Sequence, residues 1–241
     1  MKMHEFTAKR GTNLPVQVAD VTGRKDKNAQ NIVIPYLTEA LGDDFTLLRN
    51  YPLPDVGVEI PLILVGPSGV QVIYASAARG IFRARGNDWL EMNNRTRHFD
   101  NANPNLVALT RQLSQAVDKY LHENGIDLPE IEPVLIFTEA SAHIDLSRPM
   151  VRIVPFEGIE RFILNVKNLP KLLDQDTAFH IVRLLMRLEL QADQPAQTRS
   201  EKRIAIAGIR LTKTQWLILA GMVAFGFFVM VGLLALIFLS L

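Results

Sequence analysis

The chain has 241 residues, with 26 lysines and arginines against 25 acidic residues and a net charge of +1. Such a balance excludes the overall basic field that is typical of proteins binding nucleic acid through charge alone. The absence of cysteine excludes a disulfide framework, a thiolate metal site and a cysteine nucleophile. The five histidines are scattered, with no pair at metal-ligand spacing.

The first third of the chain predicts a lead-in, a helix and a strand. Residues 1–27 are polar and predict an extended or poorly ordered segment. Apolar residues from Lys27 to Leu41 recur at helical spacing, although Pro35 favours a kink or a shifted start. Phe45–Asn50 then predicts a strand, followed by a loop over residues 51–55.

A β-hairpin is the clearest local prediction. Leu62–Val65 and Val70–Tyr74 are short aliphatic runs, and the Gly66–Gly69 segment between them suits a type I turn. Two further strands are predicted over Gly80–Arg83 and Trp89–Met92, around a turn at residues 85–88.

The second half alternates helices and strands. Asn103 is predicted to cap a long helix with Pro104 in or near its first turn, and Gly125 ends it. Strands are predicted over Pro133–Thr138 and Val151–Val154, and helices over Gly158–Val166 and Thr177–Leu190. In the last helix the residues expected to face inward are Phe179, Val182, Leu185, Met186 and Leu190. This order of elements predicts a mixed α/β domain.

The C-terminal segment predicts a membrane anchor. Trp216–Leu241 has 26 residues and no charged side chain, and as a helix it would be about 39 Å long, enough to cross a bilayer. After a polar, then basic linker over residues 191–214, we therefore predict a transmembrane helix over residues 215–241. Arg210, Lys213 and Trp216 would lie at the membrane interface, and the positive-inside rule places the N-terminal domain in the cytoplasm.

Small residues in this predicted span permit close contact between two helices. Ala220 and Ala224 are four residues apart, a spacing that lets helix backbones approach in a bilayer. The predicted partners are thus the lipid bilayer, an unidentified protein and a second copy of the chain through this helix.

Residues 28–190 resemble the nuclease-related domain (NERD) family. The resemblance rests on the hairpin at residues 58–74, Arg79-Gly80-Ile81, Trp89, the Asn103-Pro104 pair before a long helix, and Val134–Thr138. It implies a restriction-endonuclease-like (PD-(D/E)XK) mixed sheet flanked by helices.

The resemblance also implies that the catalytic pattern is lost. Family members with an intact site carry an Asp on the first hairpin strand, Glu-x-Lys at the end of the second and often a glutamate on the first helix. The matching positions here are Pro61, Tyr74, Ser76 and Gln30. Because these side chains offer a hard cation no anionic oxygen, the resemblance implies a catalytically inactive domain without a cofactor.

Two alternatives remain open at this point. Asp55 and Glu59 could act as relocated ligands, which would make the chain a membrane-tethered, magnesium-dependent nuclease. Alternatively, the domain could bind nucleic acid without cleaving it, through a basic region interleaved with Phe82, Trp89 and Phe99. The arginines of that region are Arg79, Arg83, Arg85, Arg95 and Arg97. The opposing interpretation makes Phe82 and Trp89 core residues and leaves the arginines solvated.

Overall fold

The computed structural model describes residues 1–6, 24–53, 58–193, 205–206 and 209–210. The chain divides into two compact units, Met1–Leu188 and Glu189–Leu241. In the second unit, the described residues include a short antiparallel pair, β11 (Ala205–Ile206) and β12 (Ile209–Arg210).

Besides a short 3₁₀ helix over Phe156–Gly158, the first unit contains two sheets and four α-helices among the described residues. In chain order these elements are β1 (Lys2–Glu5), α1 (Arg24–Ala40), β2 (Thr46–Leu53), β3 (Val58–Gly66), β4 (Gly69–Ser76), β5 (Gly80–Arg85), β6 (Asp88–Met92), β7 (Phe99–Asn101), α2 (Leu106–Glu123), β8 (Ile131–Phe137), β9 (Ala142–Ser147), β10 (Arg152–Val154), α3 (Ile159–Asn168) and α4 (Gln175–Asp193). The larger sheet has the order β1-β2-β3-β4-β8-β10 and the smaller one β7-β6-β5-β9. β3 pairs antiparallel with β2 and β4, whereas β4 and β8 run parallel.

Helices cover both faces of the larger sheet because its strands are apolar on both sides. On β3, Leu62 and Leu64 belong to the cluster that contains the buried residues of α1 and α3, whereas Ile63 and Val65 belong to the cluster of α2 and α4. A strand whose successive side chains are all apolar must be covered on each face. The result is a mixed α/β unit with sheets flanked by helices, an architecture that fits a nuclease-like fold.

The smaller sheet packs on the larger one through aromatic rings. Phe82 and Trp89 stack with centroids 4.8 Å apart, and Trp89 stacks on Phe137 of β8 at 5.6 Å. Phe82 and Trp89 are 3% and 2% exposed. They are core residues, as the second interpretation of the basic region held.

Several predicted elements are confirmed and others shift. The hairpin, the strand pair around residues 85–88, and helices α2 and α3 all lie where they were predicted. The predicted extended or poorly ordered lead-in contains an extended strand, β1, which pairs in parallel with β2, and α1 already begins at Arg24. Pro35 lies inside α1, since the fully buried Val33 and Leu37 hold the helix against the core despite the lost hydrogen bond.

Four further details differ from the sequence prediction. β2 continues through Leu53, because Tyr51 is fully buried and meets the edge of Phe6 at 5.2 Å. Asn105 rather than Asn103 caps α2, with its side chain accepting from the Ala108 N–H at 2.9 Å. Strand β9 was not predicted, since its residues after Ala142 are mostly exposed and lack an apolar pattern. Phe179 is 62% exposed rather than inward, although Leu185 is fully buried.

No helix among the described residues is long and apolar enough to cross a membrane. The predicted span over residues 215–241, with Ala220 and Ala224, lies outside the described residues, as do Lys213 and Trp216. Arg210 is described only as backbone of β12.

Candidate functional site

A cleft opens at the C-terminal ends of β4 and β8. Its volume is about 730 Å³. The cleft is lined by the first turns of α1, the segment after β4, the inner face of β5 and β6, and the residues before α2. The apolar wall includes Ala29, Ile32, Phe82, Trp89, Pro104 and Leu106, and the polar groups include Asp26, Ser76, Arg79, Glu91, Asn103 and Glu139.

Asp26 ties α1 to the end of β4. Its Oδ2 accepts a 2.7 Å hydrogen bond from the Tyr74 hydroxyl, and its Oδ1 accepts one of 3.3 Å from the Ala77 N–H. Tyr74 is 1% exposed, and burial, together with the hydrogen bond to Asp26, raises the pKa of its hydroxyl above the usual value. Tyr74 therefore acts as a neutral donor. Sequence reasoning missed Asp26, whose only local signal is its place in the first turn of a helix.

Ser76 is buried and engaged in holding the strand ends together. It is 2% exposed, and its Oγ accepts a hydrogen bond of 3.2 Å from the Ala78 N–H. Its carbonyl accepts from both the N–H and the hydroxyl of Thr138, at 3.0 and 3.3 Å. These bonds join the segments that leave β4 and β8.

Gln30 does not line the cleft but binds Arg49. It is 1% exposed, and its Oε1 accepts from Arg49 Nε at 3.1 Å. Arg49 also donates to Asn31 Oδ1 at 2.7 Å and lies 3.5 Å from Glu5 Oε1. The amide at this position thus links α1 to β2 and β1.

Pro61 lies in the middle of β3, an interior strand of the sheet. Proline is usually confined to strand starts, edges and interruptions of the ladder, because it has no N–H to donate. Both ladders are interrupted at Pro61. The β2–β3 ladder skips it between Arg49↔Leu62 and Tyr51↔Ile60, and the β3–β4 ladder ends at the pair next to it, Leu62↔Ile73. Asn50, opposite Pro61, takes a φ of 53°.

The two proposed substitute carboxylates differ in position. Glu59 lies on β3, pairs with Pro52 and is half-buried. It does not line the cleft. Asp55 lies outside the described residues.

The five arginines do not form one surface. Arg79 lines the cleft and forms a 3.0 Å ion pair with Glu139, and this hydrogen bond raises the pKa of Arg79. Arg83 and Arg85 alternate with the buried Phe82 and Ala84 and therefore lie on the outer face of the smaller sheet. Arg95 and Arg97 are exposed in the connection between β6 and β7.

Of the two arginines on the outer face, Arg83 and Arg85, Arg83 already contacts an acidic and an aromatic side chain. Its Nε donates to Asp145 Oδ2 at 2.8 Å, and its guanidinium lies 4.2 Å from the centre of the Phe99 ring. Phe99 is the aromatic residue that shares a face with these arginines, because Phe82 and Trp89 point into the core.

Gln30, Pro61, Tyr74 and Ser76, at the positions that the resemblance implies for catalysis, do not fit a magnesium ion. A glutamine amide, a proline ring, a phenol and a serine hydroxyl supply no anionic oxygen, the ligand type that this cation prefers. Within the described ranges, no three histidine or acidic side chains are arranged to hold a metal.

The mixed sheet flanked by helices, with a cleft where the parallel strands β4 and β8 end, fits a nuclease-like α/β fold. Residues 25–138, from the start of α1 to the end of β8, match the model of the nuclease-related domain (NERD) family. Over these residues the match confirms the resemblance that the sequence predicted. No curated protein and no solved structure matches the chain.

Proposed function

We propose that the chain is a single-pass membrane protein whose cytoplasmic nuclease-related domain, of restriction-endonuclease-like fold, binds or scaffolds without cleaving nucleic acid. The observation that carries the proposal is the structural role of the residues at the four positions that the resemblance implies for catalysis. Tyr74, Ser76 and Gln30 are buried and hydrogen-bonded to other parts of the fold, and Pro61 interrupts the strand ladder.

Chemistry at these positions supports the non-cleaving function. Metal-dependent phosphodiester cleavage needs anionic oxygens to hold the cation that activates water and neutralises the phosphate. Here the Tyr74 hydroxyl donates to the one carboxylate beside it, Asp26, so that carboxylate is engaged by a neutral donor. A second carboxylate of the cleft, Glu139, is paired with Arg79.

Cleavage and metal binding test this part. We expect the full-length chain in detergent to leave single- and double-stranded DNA and RNA intact with Mg²⁺ or Mn²⁺, at the level of a Glu59→Gln variant. Mn²⁺ titration followed by electron paramagnetic resonance should likewise not distinguish the two proteins. Metal-dependent cleavage that Glu59→Gln abolishes would instead establish the membrane-tethered nuclease with relocated ligands.

The membrane part of the proposal rests on the uncharged Trp216–Leu241 run and the basic residues before it. Because the chain has no cysteine, single cysteines can report topology. In intact cells, a membrane-impermeant maleimide should label Ser240→Cys, whereas Ser200→Cys should react only after lysis. Labelling of Ser200→Cys from outside, or release of the chain by alkaline carbonate, would contradict a single-pass anchor with a cytoplasmic domain.

A further inference from the structure

The cleft at the ends of β4 and β8 carries an excess of negative charge. Three carboxylates line it, those of Asp26, Glu91 and Glu139, against the single guanidinium of Arg79. Arg79 lies 3.0 Å from Glu139 and neutralises it. The charges of Asp26 and Glu91 are left uncompensated by the other residues that line the cleft.

Glu91 is the accessible member of this group. The β5–β6 register pairs it with Phe82, so it stands on the inner face of the smaller sheet, at the cleft. Its Oε1 lies over Gly80, 3.6 Å from where a Cβ would be. The side chain is exposed, and it makes no hydrogen bond or ion pair with any described residue.

The neighbouring wall is apolar and open. Ile32, which is 39% exposed, and the exposed Pro104 present apolar surface in the cleft, whereas Ala29, Phe82 and Leu106 are buried behind them. A ligand that fits this arrangement has an extended apolar stem and a positively charged end. Arginine and lysine side chains have this shape, since their methylene stems cover apolar surface while the head remains at the polar rim.

We propose that the cleft receives a basic side chain, arginine or lysine, presented by a partner protein, with Glu91 as the counter-charge. The inference rests on the proposed function as a binding domain and names its partner chemistry. Charge complementarity favours this occupant over a nucleic acid, because a phosphate placed here would face two uncompensated carboxylates.

Binding of peptide pools tests the proposal. The probes are fluorescein-labelled nonapeptides with neutral mixed flanks and a central Arg, Lys, Gln or Glu, titrated with the full-length chain in detergent by fluorescence polarisation. The Arg and Lys pools should bind about two- to fivefold more tightly than the Gln pool, the range expected for a partly exposed ion pair. Glu91→Gln should remove this preference, and Glu91→Arg should transfer it to the Glu pool.

The matched control is Glu130→Gln, which removes an exposed carboxylate just before β8, at the strand end far from the cleft. It should keep the preference, and circular dichroism should show all variants folded. Equal binding of all pools, binding of none, or a preference that survives Glu91→Gln would overturn the inference. So would a dT12 oligonucleotide that displaces the Arg pool and binds more tightly to Glu91→Gln. None of these results involves cleavage, so each leaves the non-cleaving function standing.

Discussion

The Tyr74 hydroxyl donates a 2.7 Å hydrogen bond to Asp26 Oδ2 and thereby joins the end of β4 to the first turn of α1. The sequence resemblance implies that Tyr74 stands where active members of the family place the glutamate of Glu-x-Lys. A direct bond between a neutral donor and a carboxylate thus lies where the pattern would place an acidic metal ligand. A tyrosine hydroxyl is protonated at physiological pH, and burial raises the pKa of Tyr74 further, so this side chain remains a neutral donor.

Removing that hydroxyl should destabilise the domain. We expect Tyr74→Phe to lower the free energy of unfolding by about 1–3 kcal/mol, because the buried bond to a carboxylate is lost and Asp26 keeps only the Ala77 N–H. Urea titration followed by near-ultraviolet circular dichroism measures the change. Tyr36→Phe is the control. Tyr36 is half-buried on α1, the helix that carries Asp26, and it makes no hydrogen bond with the described residues, so this variant should lose less than about 0.5 kcal/mol of unfolding free energy. Equal effects of the two variants would contradict a stabilising role for the Tyr74–Asp26 bond.

A methyl group at Gly66 should disrupt the core beside the hairpin turn. An added Cβ would lie 2.9 Å from Phe45 Cγ and still closer to Cδ1 and Cε1. Phe45 is 6% exposed and cannot move aside freely. Gly66→Ala should therefore cost at least about 1–3 kcal/mol in unfolding free energy.

Two variants give this prediction its controls. Gly42→Ala should change stability little, since nothing lies within 4 Å of its added Cβ. Phe45→Leu introduced together with Gly66→Ala should recover part of the loss. If the double variant is no more stable than Gly66→Ala, the overlap with the ring is not the cause.

The cap of α2 offers a direct comparison of two asparagines. Asn105→Ala should lower the unfolding free energy by about 1 kcal/mol, because its side chain accepts from the Ala108 N–H. Asn103→Ala, at the residue that the sequence pattern favoured, should cost clearly less. The reverse order in urea titrations would contradict the observed cap.

Asp174 should make stability depend on pH at the start of α4. A hydrogen bond with the Thr177 side chain, together with the Thr177 N–H that donates to Asp174 Oδ1 at 2.6 Å, lowers the pKa of the Asp174 carboxyl. A lowered folded-state pKa gives stability that is present above the unfolded value, about 3.9, and is lost as pH falls through the folded value.

The thermal midpoint of Asp174→Ala should consequently lie below that of the wild type at pH 7, and the gap should narrow as the pH falls below about 4. Asp176→Ala, another exposed acidic residue of the first turn, is the control. A gap for Asp174→Ala that is unchanged between pH 7 and pH 3 would argue against the lowered pKa.

Much of the candidate site could be inferred from residue types, but the hydrogen bonds and strand pairings that bring its residues together could not. The resemblance identified Pro61, Tyr74, Ser76 and Gln30 as the altered positions. It did not reveal that Tyr74 bonds Asp26, 48 residues earlier in the chain. Glu91 and Glu139 were likewise unremarkable in sequence, because only the pairing of β5 with β6 and of β4 with β8 brings them to one cleft.

The sequence by itself determined the hairpin and the long amphipathic helix α2, because turn residues and hydrophobic periodicity act between near neighbours in the chain. It also carried the resemblance that the family model confirms over residues 25–138. Only the tertiary structure decided that β1 joins the sheet, that Pro61 sits in an interior strand and that Phe179 is exposed. These outcomes depend on which distant segment covers each face or edge. Local periodicity carries no information about that choice, since burial is decided by the partner as much as by the residue itself.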